Sequence, residues 1–177
     1  MDTRFADEEH GGYFSTSGED PSVLLRMKED YDGAEPSPNS VAALNLLRLS
    51  ALLDRPEWQA RAEKILQAFA AQLKRQPSAL PQMLVALDYS LRPPAQIVIT
   101  GQPDAPETQA LLEVVNARFL PHKVLTLANA ATAQVLPAMA TMKSLESRAT
   151  AYVCEHYACR QPVTTPEALA ALLDPLD

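Results

Sequence analysis

The sequence predicts a mixed α and α/β chain, in which helical hairpins are followed by a small parallel α/β unit. Three observations predict it. A polar loop, residues 30–40, runs straight into the most apolar helical stretch of the chain, residues 38–53. A second stretch, from Pro56 to about Lys74, sets Trp58, Ala62, Ile65, Leu66, Phe69 and Leu73 on one helical stripe. Beyond Pro94, short apolar β-branched runs alternate with helical patterns, strand first, which is the signature of an α/β unit.

Residues 1–30 read as a β-hairpin. Gly11-Gly12 leads into the aromatic run 13–16, residues 17–21 form a turn cluster, and residues 23–28 supply the return strand. The first long helix begins at Pro38, whose missing N–H costs nothing at the first helical position. Ser37 is its N-cap, because the hydroxyl accepts a free first-turn N–H. Val41, Leu44, Leu47 (or Ala43), Leu52 and neighbours recur at helical spacing, and apolar residues also cover other faces. A helix apolar nearly all round is buried on more than one side. Residues 54–57 close it and open the second helix, and the pair is an αα-hairpin. A third helix runs to about Leu91 with Met83, Leu84, Leu87 and Leu91 on its apolar face. It stops at Arg92-Pro93-Pro94.

In the second half, residues 95–100 form a buried strand closed by Gly101. A helix follows with Leu111, Leu112, Val115 and Phe119 on its face. Residues 123–127 are the second strand, 132–143 a shorter helix disturbed by Pro137, 149–154 the third strand, and 166–174 the last helix. This order predicts parallel strands joined by right-handed crossovers. Gly101-Gln102-Pro103 is no Gly-rich phosphate loop, so no nucleotide and no other cofactor is expected.

The chain has 177 residues and a net charge of −7. Residues 1–35 hold ten acidic and three basic side chains, and the remainder balances. No basic surface for nucleic acid or anionic lipid follows from this pattern. No apolar run approaches the roughly 20 residues that span a membrane, and the acidic N-terminus has no apolar signal core. A cytoplasmic location is expected. Cys154 and Cys159 are separated by four intervening residues, not a Cys-x-x-Cys pair. Reduced structural thiols are favoured; a disulfide or redox-responsive pair, or a metal cluster with His156, stays open. Asp88, near a helix C-terminus, suits a salt bridge better than a function.

The loop before the first long helix carries the most chemistry. It gathers Asp32, Glu35, Ser37, Asn39 and Ser40 around the positive end of a helix, a place able to hold a polar ligand. The same residues also suit a well-capped helix and nothing more. Residues 32–49, with Asp32-Gly33-Ala34-Glu35-Pro36-Ser37-Pro38-Asn39-Ser40 at their head, closely resemble a segment of the spermatogenesis-associated protein 20 family, whose bacterial members are the YyaL-type proteins. Residues 7–14, 96–101, and 150–164 with its two cysteines, resemble the family in the same order.

The resemblance implies a longer protein, with an N-terminal thioredoxin-like domain and an (α/α) six-hairpin barrel similar to N-acylglucosamine 2-epimerases. Residues 1–94 would then be a β-hairpin plus the C-terminal helices of that barrel, incomplete here, and residues 95–177 the small α/β unit. A sugar or small polar ligand is the implied substrate class. Asp32 and Glu35 are the implied acid or base, and His10, Tyr13, Ser37, Asn39 and Ser40 the implied binding residues. Upstream barrel and thioredoxin-like segments, or self-association, would cover the apolar helix. The alternative is a non-catalytic interaction module that supports the thioredoxin-like domain.

Overall fold

The computed structural model describes residues 2–155 and 158–176. Its contacts divide the chain into two compact units, Met1–Arg92 and Pro93–Asp177.

The first unit is helical. A one-turn helix α1 (Asp2–Phe5) precedes a long irregular segment, then α2 (Pro38–Leu53), α3 (Pro56–Ala68), α4 (Ala70–Arg75) and α5 (Pro81–Leu91). Ser37 caps α2 as its chemistry requires, accepting the Ser40 N–H at 3.2 Å. Asp54 ends α2 in the left-handed region, φ 52°, and its N–H returns to the Ser50 carbonyl. That reversal lays α3 back on α2, and α5 packs on α2 as well. Ala43, Leu44 and Leu47 meet Ala62, Ile65, Leu66, Met83 and Ala86 in one core.

Four details differ from the sequence reading. The second helix is two, because the chain breaks at Phe69 (φ −100°, ψ 4°), although Phe69 and Leu73 both stay buried. Leu91 lies outside the core and is 72% exposed, so Ala86 and Tyr89 take the buried face of α5 instead. Val41 is exposed, while Ala43, Leu44 and Leu47 are all buried. The β-hairpin is absent among the described residues. Tyr13 bridges Ala6, and the Phe14 N–H donates to the Phe5 carbonyl at 2.8 Å. Gly11 and Gly12, at φ 76° and 81°, turn the chain back on its own start. Among the described residues the expected return strand keeps one backbone bond to the segment 13–16, Ser15 N–H to Met27, and leaves Leu24 and Leu25 in solvent. Arg26 instead donates to the Thr16 and Arg4 carbonyls and stacks on Phe14, 4.0 Å from its centroid.

The second unit is a four-stranded sheet with helices. In order come β1 (Ala95–Thr100), α6 (Pro106–Asn116), β2 (Lys123–Ala128), α7 (Ala130–Val135), β3 (Thr150–Glu155), β4 (Ala158–Cys159) and α8 (Pro166–Leu173). The sheet order is β2-β1-β3-β4. β1 and β2 are parallel, with Ala95 opposite Lys123 and Thr100 opposite Ala128. Ile97, Ile99, Val153, Leu111, Val115, Leu169 and Leu173 form the core.

The all-parallel expectation is corrected here: β3 runs antiparallel to β1. The cause is the connection. α7 stops after six residues, ahead of Pro137, and short 3-10 turns follow. Six helical residues rise about 9 Å, whereas six strand residues span about 20 Å. The chain therefore stays at the carboxyl end of β2 and re-enters the sheet running backwards. Phe119 lies beyond the last residue of α6 and is 79% exposed, so helical spacing no longer governs it.

Candidate functional site

The polar loop before α2 is built around a buried carboxylate. Asp32 is 7% exposed. Its Oδ1 accepts the Ser37 N–H at 2.7 Å, and its Oδ2 accepts the Gln82 and Met83 N–H groups at 2.8 and 3.3 Å. Gln82 and Met83 belong to the first turn of α5, whose own N-cap, Leu80, has no side-chain acceptor. Asp32 thus caps a helix far along the chain, where unpartnered N–H groups and the helix dipole favour an anion. The Asp32 N–H also donates to the Ala79 carbonyl at 2.7 Å. Ser37 and Ser40 join hydroxyls at 2.9 Å. Glu35 stands exposed on the loop, its carbonyl accepting from Gly33.

Asn39 belongs to a second cluster. Asn39 is 1% exposed; its Oδ1 accepts the Tyr13 N–H at 2.7 Å and its Nδ2 donates to the Tyr13 carbonyl at 2.9 Å, a backbone clamp on a buried residue. The Tyr13 hydroxyl donates to Asp2 at 3.0 Å. Burial and that bond push the phenol up to about 12. Lys28 donates to the Gly11 carbonyl at 2.6 Å and pairs with Asp7 at 2.8 Å. The Lys28 bond, aided by the His10 and Glu9 N–H groups, holds the Asp7 carboxyl down at about 2.

The sign of that shift sets a pH dependence. The unfolded chain takes up a proton at Asp7 before the folded chain does. The stabilisation is present above 3.8 and lost as pH falls through it toward about 2. In thermal melts across the acid range, Asp7→Asn is expected to remove part of that acid-side loss. An acid limb identical to wild type would exclude the role.

The structure brings His10 to an open crevice of about 530 Å³, rimmed by Glu9, Lys28, Lys64 and Gln67 over Phe69. His10 itself is exposed and lies 3.6 Å from Asp7. Lys64 and Gln67 were not legible as site residues, because on α3 they look like any solvated face. Tyr13 and Asn39 do not line this crevice and bond to each other instead, while Asp32, Ser37 and Ser40 sit together at the starts of α2 and α5. Asp88 pairs with Arg92 one helical turn on.

The cysteines are corrected from free thiols to a disulfide. Cys154 and Cys159 face each other across β3 and β4 and are joined. Neither sulfur is then a thiolate ligand, and His156 lies outside the described residues. Cys154 is buried and Cys159 exposed. Among the described residues no three acidic, histidine or cysteine side chains come together as a metal site, and no helix is long and apolar enough to cross a membrane.

A clamped helical unit with a polar crevice, followed by a mixed α/β unit, defines a two-unit α and α/β protein. No family model matches the chain. It is 43% identical over 180 residues to spermatogenesis-associated protein 20 of Homo sapiens, a match covering 99% of this chain and 23% of the relative. The rat protein of the same name is 42% identical over 178 residues, 98% of this chain and 23% of the relative. An uncharacterized Caenorhabditis elegans protein is 30% identical over 166 residues, 92% of this chain and 22% of the relative. The chain belongs to the spermatogenesis-associated protein 20 family and spans about 23% of the length of the mammalian relatives it matches.

Proposed function

We propose that residues 2–92 form part of a carbohydrate-binding helical barrel in the longer family protein. The observation that carries the reading is the His10 crevice. It sets an imidazole, a carboxylate, an amide and two ammonium groups around an opening of about 530 Å³, with a phenylalanine beneath. A sugar ring offers hydroxyls at its edge and C–H groups on its face, and this lining can meet both. The exposed Val41 and Leu49 on α2 support further barrel helices as neighbours. Asp32 acts here as a positioning residue, since three N–H groups engage its carboxylate. Glu35 keeps the carboxylate accessible to proton transfer.

The test is calorimetric titration of the longer family protein with neutral hexoses and N-acyl amino sugars. Saturable binding is expected with at least one. His10→Ala and Lys64→Ala together should weaken it about tenfold, the scale of one or two lost hydrogen bonds, and Glu35→Gln should spare binding while removing any turnover. If no sugar binds, or the double variant binds as wild type does, the reading fails and the non-catalytic interaction module takes its place.

A further inference from the structure

The second unit holds a crevice of about 480 Å³ where β1 and β2 end and α6 begins. Thr100 and Ala128, the last residues of the two parallel strands, lie opposite each other at its edge. Gly101 then leaves the strand at φ 146°. A Cβ there would stand 2.3 Å from the Thr108 Oγ1 and 3.3 Å from the Ala149 Cβ, so glycine lets the strand end meet the helix start. Open α/β sheets leave ligand crevices at the carboxyl ends of their strands, but position alone makes no site.

Thr108 does. It lies in the first turn of α6, an eleven-residue helix whose N-cap, Ala105, has no capping side chain. Thr108 is 0% exposed, and its hydroxyl has no hydrogen-bond partner among the described residues. That hydroxyl faces Gly101 in the wall of the crevice. A buried hydroxyl left unpaired costs stability and is rare in folded proteins. A ligand acceptor would satisfy it together with the free first-turn N–H groups. Close by, the Thr100 and Ser144 hydroxyls lie 3.1 Å apart. Arg148 lines the same crevice, is exposed, and has no ion pair among the described residues. The single carboxylate among its described lining residues, Glu107, accepts the Ala149 N–H at 3.4 Å.

We infer that this crevice binds a small molecule through an oxyanion, a phosphate or carboxylate group, held by Thr108, the first turn of α6 and Arg148. Every one of these groups donates, and an oxyanion is the acceptor that can take several donors at once. Glu107 selects for a ligand that also carries a donor, a hydroxyl or an ammonium, beside the oxyanion.

The experiment is an amide chemical-shift titration of the 177-residue chain with inorganic phosphate and with acetate, against chloride at matched ionic strength. Saturable shifts at Gly101 and Thr108 are expected with at least one anion, and the preferred anion identifies the group. Thr108→Val and Arg148→Ala should each weaken binding about tenfold. Thr108→Val should also raise the melting temperature of the ligand-free chain, because it removes an unpaired buried hydroxyl, whereas a hydroxyl with a structural role would lower it. Arg148 is exposed, so its variant keeps the fold if the valine disturbs packing. No saturable shift with either anion, or equal binding by Arg148→Ala, overturns the inference. The sugar reading concerns residues 2–92 and stands or falls apart from it.

Discussion

Asn39→Ala is expected to destabilise the first unit by about 3 kcal/mol, the cost of two lost hydrogen bonds that leave buried backbone groups unpaired. The amide side chain holds both the N–H and the carbonyl of Tyr13, and all three groups are buried. Alanine satisfies neither. Among the described residues no other side chain of α2 bonds to the backbone of residues 6–14. Gly12 makes the fit tight, since a Cβ there would lie 2.9 Å from Asn39 Oδ1. Asn39→Asp is the control. It keeps the acceptor for the Tyr13 N–H but turns a carboxylate oxygen toward the Tyr13 carbonyl, so it should recover only part of the loss. Urea melts followed by Trp58 fluorescence read the effect. A midpoint for Asn39→Ala equal to wild type would refute the clamp.

Asp32→Ala should cost a comparable amount, about 2–4 kcal/mol, because it strips a cap and leaves three N–H groups without their acceptor. Two of those groups open α5, so the loss should reach the packing of α5 on α2. Asp32→Asn keeps one acceptor oxygen and should fall between alanine and wild type. The same melts separate a scaffold carboxylate from a purely catalytic one. Residues that serve only chemistry are often neutral or stabilising when replaced. An Asp32→Ala chain as stable as wild type would therefore return Asp32 to the acid–base role and remove it from the scaffold.

Much of the helical unit was legible in the sequence. Ser37 and Pro38 mark the start of α2, Pro56 and Glu57 that of α3, and Pro93-Pro94 follows the end of α5, because capping and proline chemistry act over a few residues. The strands β1 and β2 were legible for a like reason, as short β-branched runs closed by turn residues. The N-terminal hairpin was misread. Tyr13 and Phe14 have the composition of a strand, but the partner of Tyr13 is an asparagine on α2, not the segment 23–28.

The candidate loop shows the same division. Its polar residues could be named from the sequence, yet their tasks could not. Asp32 is a cap for α5, Asn39 a clamp on Tyr13, and His10 shares a crevice with Lys64 and Gln67 of α3. The antiparallel entry of β3 and the meeting of Gly101 with Thr108 were equally hidden. The sequence by itself determined where α2, α3, α5 and α8 start and where β1 and β2 lie, since capping, proline and β-branched signals act within about one turn of the chain. The tertiary structure alone decided which buried donor meets which acceptor. A buried polar group must find a partner wherever packing brings one, and distance along the chain places no limit on that choice.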